Sequence, residues 1–242
     1  MAQAPAEPKV LFFDIESTNL NATFGTILCI GYSWLGEDKV HVPTILDNSN
    51  KNLLSDKHLV EQFGKVWAWA DYAVGHYAKR FDVPMIQSKL LKYGLPPLAP
   101  TPLIDTWRVA RDTFKLHSNR LATLEQFLGV EHSKTPITFD DWLQAAHGNR
   151  KALKQVVEHC RLDVLVLKEV YERIRPWVKA EPVRHLFVEA DRATCISCGS
   201  AKLTRQGHRI TRTRRYQQYQ CQACGKWQRN KHCSDANRTE LV

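Results

Sequence analysis

The sequence predicts an α/β domain built on a mixed sheet, followed by a small cysteine-rich unit, and three observations carry that reading. An apolar run, Val10 to Phe13 with Ile15, is interrupted only by a carboxylate and bounded by Pro8 and Ser17-Thr18-Asn19, the pattern of a short buried strand. Two further strand-like runs follow, and then helix, strand and helices alternate, the order of an α/β fold. Near the other end, Cys195-Ile196-Ser197-Cys198 and Cys221-Gln222-Ala223-Cys224 enclose 22 residues.

The elements are expected in this order. Residues 1–8 are rich in Ala and Pro and predict a flexible N-terminus. After the first strand, 26–35 predicts a second and 39–42 a third, with Gly36-Glu37-Asp38 as the hairpin turn. Residues 44–56 are polar and predict a loop. Leu59, Val60, Phe63, Val66 and Trp67 recur at helical spacing over 57–69. Ala73-Val74-Gly75 suits a buried strand, and 81–93 is again helical through Val83, Ile86, Leu90 and Leu91. Helices are also expected over 104–113, over 121–128 before Gly129, and over 139–147 before Gly148. Asn149 then caps a long helix that runs to about Ile174 and stops before Pro176. The domain is therefore drawn over 9–178, with a linker at 179–194, the cysteine-rich unit at 195–233 and a tail at 234–242.

Composition narrows the function. Hydrophobic residues make up 43% of the chain and include seven Trp, enough for a core. No charged-then-apolar leader and no apolar run near 18 residues is present, so neither export nor membrane insertion is expected, and the expected location is the cytoplasm. The net charge of +9 is uneven. Between Cys195 and Cys233 lie nine of the 34 Lys and Arg and no acid, which leaves 25 bases against 25 acids elsewhere. Five of the seven Cys share that segment, which points to metal binding rather than disulfides.

Three stretches hold acids that apolar surroundings should not contain without a reason. Residues two apart on a strand face the same side, so Asp14 and Glu16 point together, and a divalent cation is the simplest remedy for their repulsion. Asp82 follows a strand–loop–helix junction that begins at Gly75-His76-Tyr77. Asp163 is embedded among Leu162, Val164, Leu165, Val166 and Leu167, one helical turn after His159 on the same face. Asp105 is a weaker candidate, read as a helix cap or strand-end acid. Solvated strand-end acids and a structural His–Asp pair are the plain alternatives.

Taken together, these stretches resemble the motifs of a known family, the DEDD 3′–5′ exonucleases of the ribonuclease H-like fold. The three motifs appear as Phe13-Asp14-Ile15-Glu16-Ser17-Thr18, as Gly75-His76-Tyr77 through Arg80-Phe81-Asp82, and as His159-Cys160-Arg161-Leu162-Asp163. The resemblance spans residues 9–175, with Leu103-Ile104-Asp105-Thr106 and 121–129 similar to the family's connecting helices. It implies a ribonuclease H-like mixed five-stranded sheet flanked by helices. Spacing is closest to the tyrosine branch, but His159 stands where that branch has Tyr, and Glu158 stands where the histidine branch has its base. Neighbouring helix positions differ by about 100° in direction, so these two candidates face differently. Tyr77 stands where many relatives have Asn.

What the resemblance implies is two-metal hydrolysis to nucleoside 5′-monophosphates. Asp14, Glu16, Asp82 and Asp163 would hold two Mg²⁺ or Mn²⁺, and His159 would act as the general base. Single-stranded DNA or 3′ ends are the favoured substrates, RNA is also accommodated, and a polymerase or replication partner would be in keeping with it. The setting expected is a bacterial or phage-infected cell. A ribonuclease H-like domain that only binds nucleic acid, or a zinc-ribbon regulator with an accessory nuclease domain, are the rival readings.

The paired cysteines have zinc spacing, and Gly199 and Gly225 just after each pair suit the tight turns of knuckles. One structural Zn²⁺ on Cys195, Cys198, Cys221 and Cys224 is expected, in a small C-terminal zinc ribbon, with His232 and Cys233 spare. Redox use of the pairs is the alternative. The bases and aromatics suit phosphate contact and stacking, which makes Arg205, Arg209, Arg212, Arg214, Arg215, Tyr216, Tyr219, Lys226, Trp227 and Arg229 the candidate nucleic-acid contacts. A charged module docking to a protein is the other reading.

Overall fold

The computed structural model describes residues 7–47, 55–133, 136–182, 187 and 193–234. Parts of the N-terminus 1–8, the loop 44–56, the linker 179–194 and the tail 234–242 lie outside the described residues. The chain divides into two compact units, Lys9–Ile174 and a second that takes up the chain from Arg175.

The first unit is organised around β1 (Val10–Ser17). Its apolar run is buried because both faces of the strand are covered. Leu11, Phe13 and Ile15 join the core with α1 (Lys57–Ala68), where Phe13 meets the rings of Phe63 at 5.5 Å and Trp67 at 5.3 Å. On the opposite face Phe12 sets its ring edge against Tyr171 of α6 (Arg150–Ile174) at 5.4 Å. Period-two alternation therefore turns Asp14 and Glu16 to the α6 side.

β2 (Ile27–Trp34) runs antiparallel to β1, whereas β3 (Tyr72–Gly75) and β4 (Leu103–Asp105) continue the sheet in parallel, in the order β2-β1-β3-β4. α2 (Asp82–Lys92) follows β3, and α3 (Thr106–Thr113), α4 (Leu121–Leu128) and α5 (Phe139–Ala146) lead to α6. Asn149 caps α6 as expected, its side-chain oxygen accepting from the N–H groups of Lys151 and Ala152.

The expected five-stranded sheet has four strands among the described residues. The third strand drawn over 39–42 is reduced to isolated bridges, Tyr32 with His41 and Cys29 with Thr44. Ile30 N–H reaches the carbonyl of Pro43, but proline has no N–H to return, so the ladder cannot propagate. Conversely, Leu103–Asp105, expected as the start of a helix, forms β4. Three residues are too few to display a strand period before the helical one begins.

In the second unit β5 (Leu203–Ile210), β6 (Arg215–Cys221) and β7 (Trp227–Arg229) form an antiparallel sheet in sequence order. Residues from Arg175 onward are tied to it. The Arg175 guanidinium donates to Glu181 at 2.7 Å and to the carbonyl of Ser197 at 2.8 Å, and the Ser197 hydroxyl donates to Glu181 at 2.9 Å. No helix among the described residues is long and apolar enough to cross a membrane.

Candidate functional site

In the first unit the site forms where α6 crosses β1 and β2. Gly31 of β2 pairs with Asp14 of β1, and a Cβ at Gly31 would meet the sulfur of Cys160 at 2.8 Å and Val164 at 3.0 Å. Only a residue without a side chain lets the helix come this close. Cys160 in turn donates its thiol to the carbonyl of Asp14 at 3.7 Å, fixing helix to strand beside the acids.

That approach sets His159 and Asp163 over Glu16. The His159 Nε2 lies 3.8 Å from a carboxylate oxygen of Glu16 and 3.9 Å from one of Asp163. One donor atom from each of the three residues lies within 4.8 Å of the others. Glu16 is also held from α5, where the indole N–H of Trp142 donates to its other oxygen at 2.9 Å, and the Trp142 ring stands edge-on to His159. Trp142 was not among the sequence candidates. Its contact with Glu16 spans 126 positions, and nothing near it in the chain marks it.

Asp82 arrives from the other side, as the first residue of α2. The ladder between β1 and β3 ends at Phe12, so the N–H of Ile15 lies beyond the end of β3, and Asp82 accepts it at 3.2 Å. Its carboxylate thus sits at the backbone between Asp14 and Glu16. Only 3% of Asp82 is exposed. Burial raises its pKa to about 7, with the neighbouring Asp105 and Asp163 adding to the rise and the N–H groups of Asp82 and Ile15 opposing it.

Asp105 has a different task. It ends β4 and caps α3, accepting from the N–H groups of Trp107 and Arg108, and it also takes the N–H groups of Tyr77 at 2.9 Å and Lys79 at 3.1 Å. These bonds hold Tyr77 in a left-handed conformation, φ 62°, with its ring edge against Trp107 at 4.9 Å. An open cavity of about 540 Å³, lined in part by Thr23, Arg80, Phe81, Ser88 and Lys92, runs along α2.

The two sequence candidates for a base part company. Glu158 is exposed and paired with Arg161 at 2.6 Å, and that hydrogen bond lowers its pKa. His159 is buried among the acids. The structure thus brings Glu16, His159 and Asp163 together, anchors Asp82 next to them, and places Asp14 half-buried on the same face of β1. Oxygen donors with one imidazole, crowded in a buried site, fit hard divalent cations.

In the second unit the four paired cysteines converge. Cys195 and Cys224 sulfurs are 3.6 Å apart, Cys198 and Cys221 3.7 Å. A disulfide needs about 2.05 Å, whereas sulfurs placed tetrahedrally about 2.3 Å from a zinc ion are about 3.8 Å apart. Gly199 and Gly225 close the knuckles in left-handed conformations, donating back to the carbonyls of Cys195 and Cys221. Burial opposes ionisation of Cys221, but the N–H groups of Cys224 and Ala223 outweigh it and bring its thiol to about 7. Burial pushes Cys195 and Cys224 up. Such a set of thiols can hold a metal ion that would ionise all four. Among the described residues His232 and Cys233 are not part of the cluster.

The expected nucleic-acid contacts are dispersed over this unit. Arg209, Arg212, Arg214, Arg215, Trp227 and Arg229 are exposed. Arg205 donates to Gln217 at 2.7 Å, Tyr216 is buried under the guanidinium of Arg229, and Tyr219 is partly covered. Lys226 is only 9% exposed, with its ammonium on the carbonyl of Val178.

Comparison with known proteins agrees with the fold of the first unit. No curated protein matches the chain. The family model of the RNase H superfamily matches residues 11–175, more than half of the chain, from within β1 through the end of α6. With that match, on a mixed sheet whose central strand carries two acids toward a third on the crossing helix, the chain belongs to the RNase H superfamily.

Proposed function

We propose that the chain is a metal-dependent 3′–5′ exonuclease that hydrolyses nucleic acid to nucleoside 5′-monophosphates, with a zinc ribbon that grips the substrate. The observation that carries this reading is the convergence of Glu16, His159 and Asp163, with Asp82 on the β1 backbone between Asp14 and Glu16. Asp14, Glu16, Asp82 and Asp163 are the residues that would hold two Mg²⁺ or Mn²⁺. Cations held there would lower the pKa of the attacking water and stabilise charge on the departing 3′ oxygen.

The protein's own groups do the rest. Trp142 fixes the rotamer of Glu16 through one oxygen and leaves the other facing His159. His159 takes the proton of the attacking water, a step for which a neutral imidazole nitrogen is suited. Cys160 and Val164, packed at Gly31, close the side of the site toward β2. Arg80, Ser88 and Lys92, on the cavity along α2, are available to the phosphates of the strand being digested.

The test is digestion of single-stranded DNA, RNA and duplexes labelled at the 5′ end, with Mg²⁺ or Mn²⁺. A ladder shortening one nucleotide at a time from the 3′ end, lost in Asp14→Ala and Asp163→Ala, is expected. Cleavage undiminished in either variant refutes the metal-site assignment. Internal cuts without a ladder refute the exonuclease.

A further inference from the structure

The three-stranded sheet of the second unit has two chemically different faces. Residues paired across an antiparallel ladder point to the same side. One face carries Arg205, Tyr219 and Gln228 in one row and Cys221 beyond it. It is already engaged in the unit's own architecture. Cys221 belongs to the cysteine cluster, the Gln228 amide bridges the N–H of Ile196 and the carbonyl of Thr194, and Arg205 is tied to Gln217.

The other face carries Thr204 and Trp227 on either side of Gln220, Arg229 beside Gln218, and Arg209 beside Tyr216. Here the Arg229 guanidinium lies on the Tyr216 ring, 3.9 Å from its centre. Trp227 is 48% exposed, a large aromatic left open to solvent. Trp227 and Arg229 stand two residues apart on β7, about 7 Å along the strand, so they present two flat surfaces side by side. A guanidinium held over a ring leaves its outer face open for stacking, and Arg229, which gives one N–H to the carbonyl of Asn230 at 2.9 Å, has further N–H groups for phosphate.

We infer that this face, through Trp227 and Arg229 with Arg209 at its margin, binds single-stranded nucleic acid by stacking two bases. The inference rests on the zinc ribbon being the grip proposed above, and adds which face grips and what form of substrate it takes. The charge fits such an occupant, because nine bases and no acid lie between Cys195 and Cys233. The exposed indole fits it too, since only an unpaired strand offers base faces for stacking. Lys226, held on the Val178 carbonyl, and Arg205, on the opposite face, are then not contacts.

The test compares full-length variants without added Mg²⁺ or Mn²⁺, by fluorescence anisotropy of a labelled 20-nucleotide oligo(dT) and of the same strand in a duplex. Arg229→Gln and Arg205→Gln remove one charge each, from opposite faces. Zinc content near one per chain certifies that each variant is folded. Trp227→Ala and Arg229→Gln should each weaken single-strand binding about 5- to 100-fold, Trp227→Tyr should retain most of it, and Arg205→Gln should change it less than about threefold. Equal losses for Arg205→Gln and Arg229→Gln, or equal affinity for the duplex, keep the ribbon as the grip and overturn the face. Wild-type affinity in all the variants overturns the grip itself.

Discussion

The sharpest consequence of the buried acids concerns stability, and Asp82→Asn exposes it. Burial raises the Asp82 pKa from 3.8 to about 7 in the native state, while the unfolded chain retains an ordinary carboxyl. Between those values the native state keeps a proton that the unfolded chain has released. Stability from this group therefore falls as pH rises through the window and stays low above about pH 7. From pH 5 to pH 7 the loss is about 3 kcal/mol, or roughly 5–10 °C in Tm for a domain of this size. Asparagine can still accept the N–H of Ile15 but cannot ionise.

Thermal unfolding of both proteins in buffer free of Mg²⁺ and Mn²⁺ should show a gap that is smallest at acid pH. From pH 5 to pH 8 it should widen by about that amount, with Asp82→Asn the more stable. The other carboxyls and the cysteine cluster are common to both proteins and cancel in the difference. Adding Mn²⁺ at pH 8 should raise the Tm of the wild type and leave the variant nearly unmoved. At pH 6, calorimetry in buffers of different ionisation enthalpy should find close to one proton released as Mn²⁺ binds, because binding must ionise Asp82. A difference in Tm that does not change with pH would refute the placement of Asp82 as a buried acid that is ionised only with a cation.

Two further outcomes test the remaining assignments. His159→Ala should slow cleavage about 10²–10⁴-fold with Mn²⁺ affinity retained, and Glu158→Ala should cleave normally. Loss of Mn²⁺ binding in His159→Ala would make His159 a ligand instead of a base. The purified chain should hold about one Zn²⁺, lost in Cys221→Ser together with the fold of the second unit, and freely titratable thiols without zinc would refute the ribbon.

How much of this was legible depends on how far apart the interacting residues lie. Asp14 and Glu16 stood out because one strand holds both and the strand period makes them share a face. His159 and Asp163 stood out because a single helical turn joins them. Both judgements need only local geometry. Trp142 and Glu16 are joined only by the fold, and so are Asp56, Lys89 and Tyr93. In that second group Lys89 donates to the carbonyl of Gly25 and pairs with Asp56, which takes the Tyr93 hydroxyl and the N–H of Ile27. Lys89 is 2% exposed, yet in an amphipathic helix it reads as a solvated base. The strand count failed for a local reason at both ends, through one missing N–H at Pro43 and a strand only three residues long at Leu103–Asp105.

The same alternation that makes β1 a core strand also makes it the floor of the candidate site. Leu11, Phe13 and Ile15 anchor it to α1, so the opposite face is positioned by packing rather than by the acids themselves. On that face Phe12 is apolar against Tyr171, and the run then changes to Asp14 and Glu16 as the strand passes the end of β3. Beyond that point the backbone N–H of Ile15 no longer has a neighbouring strand to bond, and Asp82 accepts it. The sheet's boundary therefore creates the donor that orients the next acid. The absence of a side chain at Gly31 then admits α6, close enough to bring His159 and Asp163 over Glu16. Glu16 and Asp82 are each held by a group that would be there for folding alone, the Trp142 indole and the Ile15 N–H, and the crowding of the acids is what a cation would relieve.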